Sequence, residues 1–258
     1  MLGALIGDIV GSIYEWENHR SKDFLLFGPG CDYTDDSVCT VALADALLTG
    51  VDPARHLQAW CRRHPGRGYG GMFAQWIDEP EPVAYNSFGN GAAMRVSAAG
   101  WLADDAQAVA VLSDRITAIT HSHPEGLKGA RATAHAIFRA RQGADADQIQ
   151  DEIIASFGYD LSSTVDEIRP YYQFNETCQQ TVPEALICAL SATGFEDAIR
   201  NAISIGGDSD TIAAIAGSVA EALFGIPPGI AAQGRSYLPR DMLEVLERFE
   251  GVTRRGRA

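Results

Sequence analysis

Apolar residues recur three and four positions apart along most of the chain, in Ala- and Leu-rich runs separated by short Gly, Pro or Asp punctuation. That spacing lines one face of an α-helix. It predicts helices over residues 1–14, 37–48, 53–63, 71–77, 91–103, 106–120, 124–141, 146–157, 182–192, 195–204, 211–224 and 240–249. No segment alternates apolar and polar residues between turn signals, as a half-buried strand does. The predicted fold is therefore all-α, a multi-helix globule with its longest loops at 63–71 and 158–174.

Two segments, 1–11 and 212–225, are apolar nearly all round and carry small Gly and Ala positions. Such helices are expected at the centre of the molecule, close against their partners. With 258 residues, no internal repeat, no low-complexity tract and no Pro-, Gly- or Ser-rich linker, one domain over 1–258 is expected.

Composition narrows the function classes. No run of eighteen apolar residues and no signal-peptide pattern is present, so a cytoplasmic protein with no membrane partner is expected. Five cysteines without a Cys-x-x-Cys pair disfavour a disulfide framework and a zinc knuckle, and read as reduced thiols. A formal net charge of -14 opposes unspecific binding to nucleic acid or anionic membrane. The basic tail Arg254, Arg255, Gly256, Arg257 is expected to be a frayed end.

Candidate chemistry concentrates in two acidic clusters, Thr34-Asp35-Asp36-Ser37 and Gly206-Gly207-Asp208-Ser209-Asp210-Thr211, each running directly into a predicted helix. One such cluster alone is most simply an N-cap. Two over-supplied caps are harder to explain that way, because a cap needs one such residue. If they converge, their carboxylates repel one another, and a divalent cation is the usual means of holding them ionised. Oxygen donors without an obligatory histidine or thiol select Mg²⁺, Mn²⁺ or Ca²⁺ over zinc. Four carboxylates exceed what one Mg²⁺ normally recruits, which points to a two-metal site.

Other polar positions interrupt the apolar pattern. Asp8 sits among apolar residues and reads as structural; Glu15, seven positions on, reads either as a general acid or base or as part of a polar helix end with Trp16 and Glu17. The run Ser87-Phe88-Gly89-Asn90-Gly91 opens a predicted helix, where free N–H groups and the positive dipole end could cradle a phosphate, although an ordinary loop and cap fits too. It matches neither the Rossmann nor the P-loop pattern. His121-Ser122-His123-Pro124 joins two predicted helices; His121 is expected to contact a ligand and His123 has no assigned role.

Taken together, these motifs resemble the ADP-ribosylglycohydrolase family, which includes dinitrogenase reductase-activating glycohydrolase and the ADP-ribosyl-acceptor hydrolases. The matching elements occur in the family's order: Gly7-Asp8 through Glu15, Thr34-Asp35-Asp36, Gly89-Asn90-Gly91-Ala92-Ala93-Met94-Arg95, Thr120-His121-Ser122, Val182-Pro183-Glu184-Ala185 and Gly207-Asp208-Ser209-Asp210-Thr211. The resemblance implies an orthogonal all-α bundle with two Mg²⁺ or Mn²⁺ ions held by Thr34, Asp35, Asp36, Asp208, Asp210 and Thr211. It implies substrate contacts from Ser87, Phe88, Gly89, Asn90, Gly91 and His121, and a mobile glutamate, Glu15, near the distal ribose.

The activity implied is metal-dependent hydrolysis of the bond between the anomeric carbon of that ribose and an acceptor. Asp36 is expected to orient or deprotonate water, and Glu15 to protonate the leaving group or assist the attack. Partners would be an ADP-ribosylated protein or small ADP-ribosyl adduct, with ADP-ribose as product and nucleic acid only as a modified acceptor. Arginine is the favoured acceptor, with serine, a nucleobase and an acetyl ester left open. The rival reading is a non-catalytic ADP-ribose binder or crystallin-like member of the fold, against which the retained ligand set argues. The absence of a His-Asp dipeptide and of an Asp-Asp-x-x-Asp/Glu run removes the signatures of an all-α phosphohydrolase and a terpene-type synthase.

Overall fold

The computed structural model describes residues 1–255; Gly256 and Arg257 of the basic tail lie outside the described residues. Among the described residues fifteen helices follow one another in the order α1 (Leu2–Gly11), α2 (Asp35–Thr49), α3 (Pro53–Arg63), α4 (Gly71–Asp78), α5 (Gly91–Met94), α6 (Ser97–Leu102), α7 (Ala106–Thr117), α8 (Pro124–Arg141), α9 (Ala146–Phe157), α10 (Val165–Ile168), α11 (Cys178–Leu190), α12 (Phe195–Ser204), α13 (Ser209–Phe224), α14 (Pro228–Ser236) and α15 (Arg240–Arg255). Among the described residues there is no strand, and one isolated bridge pairs Gly89 with Thr177. The all-α expectation holds.

Local chemistry sets many of the helix ends. Asp52 caps α3 by accepting from the Arg55 N–H, with Pro53 at the first helical position, where its missing N–H costs nothing. Asp145 and Gln148 close a reciprocal capping box at α9, and Gly158 ends that helix in the left-handed conformation. His123, left unassigned from sequence, caps α8: its ring nitrogen accepts from the Glu125 N–H at 3.1 Å.

Helices α1 and α13 form the centre, and every residue of α1 is buried. They meet backbone to backbone, through glycines spaced four apart on α1. A β-carbon at Gly3 would stand 2.2 Å from the Gly217 carbonyl oxygen, one at Gly7 2.0 Å from that of Ala213, and one at Gly11 2.4 Å from the Asp210 α-carbon. This approach brings the C-terminal end of α1 against the first turn of α13. Around the pair pack α11, α12 and α8 on the α13 side and α2 and α14 on the α1 side.

Several predicted bounds differ. Helix α1 stops at Gly11, so Glu15 stands in a turn beyond it. Residues 91–103 form two short helices instead of one, broken where Arg95 turns its guanidinium inward to Thr120. Helix α11 starts at Cys178, ahead of the predicted 182, and carries Pro183 inside it. Helices α10 and α14 were not predicted. The five cysteines are buried and free, and no helix among the described residues is long and apolar enough to cross a membrane.

Candidate functional site

Asp8 organises the start of α2. Its carboxylate accepts from the Thr34 N–H at 2.9 Å and hydroxyl at 2.6 Å, from the Ser37 N–H at 3.1 Å, and from the Ser37 hydroxyl. Thr34 in turn caps the helix by accepting from the Asp36 N–H at 3.2 Å. A buried carboxylate on the central helix thus fixes the turn from which Asp35 and Asp36 project. Burial raises the Asp8 pKa to about 6, against the lowering effect of these hydrogen bonds.

The second cluster is set by backbone that only glycine adopts readily. Gly206 and Gly207 have φ of +71° and +78°. A β-carbon would also strike Asn18 Oδ1 at the first position, 2.4 Å away, and the Tyr172 ring at the second, 2.5 Å away. The tight turn delivers Asp208, Asp210 and Thr211 to the entrance of α13.

The two clusters converge. The Thr211 hydroxyl donates to Asp36 Oδ2 at 3.2 Å across 175 residues of sequence. One carboxylate oxygen from each of Glu15, Asp208 and Asp210 lies within 4.8 Å of the others. Asn90 ties the glycine turn to the same place, donating its amide to Asp208 Oδ2 at 2.7 Å and to the Thr181 hydroxyl at 3.2 Å. These groups border a cavity of about 250 Å³.

Of the residues singled out from sequence, Glu15, Asp35, Asp36, Ser87, Gly89, Asn90, Gly91, His121, Asp208, Asp210 and Thr211 line this cavity. Thr34 and Phe88 are outside its wall. The Thr34 hydroxyl is engaged with Asp8 and Asp36, and the Phe88 ring packs on His123 at 5.2 Å. The wall includes residues that were not assigned to a site from sequence: Gly68 and Gly70 of the loop before α4, Gly71, Met72 and Phe73 of α4 itself, Tyr85, and Glu176. Asx-free glycine loops and lone aromatics are too common in sequence to mark a site.

Electrostatics in the cavity are dominated by unrelieved negative charge. Burial, then repulsion by other carboxylates, raises Asp35, Asp36 and Asp210 well above the usual carboxylate range. Asp208 is pushed up to about 6, chiefly by burial. Glu15 is pushed up to about 7 by burial first, then by Asp210, Asp8 and Glu176. The one arginine on the wall, Arg95, directs its Nη2 to Thr120 and His121. The donor set, buried carboxylates and a hydroxyl with no thiol and no neighbouring ammonium, fits hard divalent cations.

Helix α5 has four residues, too few for a useful dipole, and three N–H groups at the 87–91 turn have partners in the protein: Gly89 donates to Ser87 Oγ, Asn90 to the Glu176 carbonyl and Ala92 to the Gly89 carbonyl. What the turn offers is bare backbone facing His121, whose Nε2 would stand 3.3 Å from a β-carbon at Gly91. Arg95 lies 3.0 Å from His121 Nδ1. A guanidinium only donates, so Nδ1 accepts and Nε2 carries the ring proton. Burial and the Arg95 charge hold His121 well below its ordinary pKa. It is a neutral donor aimed at the glycine turn.

Against known proteins, residues 1–257 match the ADP-ribosylglycohydrolase family. The chain is 27% identical to "ADP-ribosylhydrolase ARH3" of Mus musculus, over 88% of this chain and 83% of that protein. It is 24% identical to "ADP-ribosylarginine hydrolase Tri1" of Pseudomonas putida, over 88% of this chain and 70% of that one. A solved structure titled "ADP-ribosylglycohydrolase-related protein complex" superposes with a TM-score of 0.68 at 22% identity, covering 98% of this chain and 94% of that chain, and so shares the fold. With the whole described chain matched, and Glu15 beyond α1 meeting the acidic starts of α2 and α13 at one cavity, the protein belongs to the ADP-ribosylglycohydrolase family of glycosidic-bond hydrolases.

Proposed function

We propose that the protein hydrolyses, in a metal-dependent reaction, the bond between the anomeric carbon of the distal ribose of ADP-ribose and an arginine-type acceptor. The observation that carries this reading is the meeting of Glu15, Asp208 and Asp210 carboxylates within 4.8 Å, beside Asp36 and Thr211. Two Mg²⁺ or Mn²⁺ ions, held by Asp35, Asp36, Asp208, Asp210 and Thr211 with Thr34 at the edge of the set, would supply Lewis acidity toward the ribose hydroxyls and water.

The chain's own groups have the remaining roles. Asp36 orients the attacking water and takes its proton. Glu15, whose carboxylate lies within 4.8 Å of those of Asp208 and Asp210, is placed to give a proton to the departing acceptor nitrogen or oxygen. Positive charge grows on the sugar as that bond breaks, and the carboxylate wall offsets it in a partly dry cleft. The neutral Nε2–H of His121 and the bare backbone of Gly89 and Gly91 form a surface on which phosphate or ribose oxygens can lie close. Arginine is favoured because an acid-lined cavity suits a cationic acceptor and because one relative carries that linkage in its name.

The test is ADP-ribose release from arginine-, serine-, nucleobase- and acetyl-linked substrates with Mg²⁺, with Mn²⁺ and with chelator. Release from the arginine linkage that chelator abolishes is expected. Release untouched by chelator would reject the metal requirement, and preferential release from another linkage would reject the acceptor.

A further inference from the structure

We infer that the stacked pair Trp16 and Phe174 is the acceptor shelf of this enzyme, taking the planar guanidinium of an arginine-linked substrate on its open face; the inference rests on the hydrolase reading above. Large aromatic side chains are normally buried, and the other three tryptophans, Trp60, Trp76 and Trp101, are buried. Trp16 is 77% exposed and Phe174 40% exposed. They nevertheless hold each other, with ring centroids 5.0 Å apart and planes at 22°. Two exposed rings from segments about 160 residues apart, in contact with each other, form a flat apolar surface open to solvent on one side.

Its place gives it a use. Trp16 follows Glu15 directly in the chain. Phe174 precedes Glu176 by two residues, and both Glu15 and Glu176 line the cavity. Trp16 and Phe174 do not themselves line the cavity, so the shelf is joined to its rim through the chain neighbours Glu15 and Glu176, the first of which is the group proposed to protonate the leaving acceptor. The nearby cation Arg20 is turned away, donating to the carbonyls of Arg169, Ile205 and Tyr172 and to Asn18. An aromatic face bordered by carboxylates is complementary to a planar cation: the ring quadrupole attracts it from above and the carboxylates accept its N–H groups. A serine hydroxyl offers neither plane nor charge.

The experiment compares wild type with Trp16→Ala, Trp16→Phe and Phe174→Leu. Both positions are exposed enough that folding is expected to survive. Measured are steady-state constants on arginine-, serine- and nucleobase-linked ADP-ribosyl substrates, the affinity for ADP-ribose, and the indole N–H resonance of Trp16 titrated with agmatine or with pentylamine. A cation–π contact at this exposure corresponds to a rise in KM of about two- to fivefold for Trp16→Ala on the arginine linkage, with smaller rises in Trp16→Phe and Phe174→Leu. ADP-ribose, which lacks the acceptor, is expected to bind all four proteins alike, and agmatine but not pentylamine to shift the Trp16 resonance. Equal losses on serine and arginine linkages, an equal effect on an uncharged nucleobase linkage, weakened ADP-ribose binding, or equal shifts from both amines would each overturn the shelf. If wild type releases ADP-ribose from nothing, the hydrolase reading fails on its own, and the agmatine titration still decides whether the pair binds a planar cation.

Discussion

Gly11 and Asp210 touch through their backbones. A β-carbon at Gly11 would lie 2.4 Å from the Asp210 α-carbon and 2.6 Å from its nitrogen, closer than any side-chain carbon sits. The last residue of α1 is thus the floor on which the first acidic turn of α13 rests. Packing and chemistry share one contact, and a single methyl group separates them experimentally.

Gly11→Ala is expected to push the start of α13 away from α1. Overpacking of a well-filled core costs about 1–3 kcal/mol, and here the obstruction is backbone, which cannot rotate aside. The melting temperature should fall, and Mn²⁺ affinity by calorimetry should fall with it because Asp208 and Asp210 move relative to Asp36. Gly50→Ala, where a β-carbon would meet nothing within 4 Å but the residue is left-handed at +74°, should lower stability without moving Mn²⁺ affinity. Retained Mn²⁺ affinity in Gly11→Ala would show that the contact does not govern the site.

Asp210→Asn separates repulsion from ligation. In the cation-free protein Asp210 is held well above its ordinary pKa, by burial and then by Asp208, so losing its charge relieves a penalty. The amide oxygen can still accept from the Thr211 N–H, as Asp210 Oδ1 does at 2.9 Å. The variant is expected to melt higher than wild type in chelator. Wild type should gain stability with cation, about 2.7 kcal/mol at a hundredfold excess over Kd, whereas the variant gains little. A wild-type-sized cation shift in Asp210→Asn would remove Asp210 from the ligand set.

Helices α3, α8, α9 and α12 fall where the pattern predicts because their ends are written locally, as with Asp52-Pro53 and the Asp145–Gln148 box. Helix α14 was not legible: Pro227, Pro228, Gly229 and Gly234 read as loop. Gly234 is needed there because a β-carbon would stand 2.5 Å from Ile6 Cγ1, a demand made by α1 from far away in sequence. The same holds in the cavity. The acidic clusters announced themselves by excess over capping need, but nothing local encodes that Thr211 reaches Asp36, or that Glu176 and the Gly68–Gly71 loop complete the wall. Even Asp8, read as structural, did not reveal that the turn it holds is the one bearing Asp35 and Asp36.

Glu184 gives the protein a pH signature away from the catalytic cavity. It lines a separate cavity with Lys128, Tyr159 and Asp160, and burial, then Asp160, pushes its pKa up to about 7 from 4.5. The folded state therefore holds a proton that the unfolded chain releases near pH 4.5. Stability falls as pH rises between the two values and stays at the lower level above about 7. Glu184→Gln, which cannot ionise, should melt above wild type at pH 8 and differ little at pH 4. A constant difference across that range would mean that the Glu184 carboxyl does not titrate with folding.

Glu15→Gln is the variant that tells an acid from a ligand. Glu15 lies beyond the end of α1, half-buried, within 4.8 Å of Asp208 and Asp210. That position suits either a proton donor to the leaving acceptor or another oxygen for the cations. An amide keeps the shape and the oxygen but has no proton to give. If Glu15 is the acid, kcat falls about 10²- to 10⁴-fold while Mn²⁺ affinity stays near wild type. The loss should also shrink on a substrate whose leaving group departs without protonation, such as a nitrophenyl-type adduct, because the acid then has little to contribute. If Glu15 is chiefly a ligand, Mn²⁺ affinity falls and the loss of rate is the same for good and poor leaving groups. Near-normal kcat on both substrates would exclude it from the chemistry and leave Asp36 as the only proton-handling carboxylate assigned to the reaction.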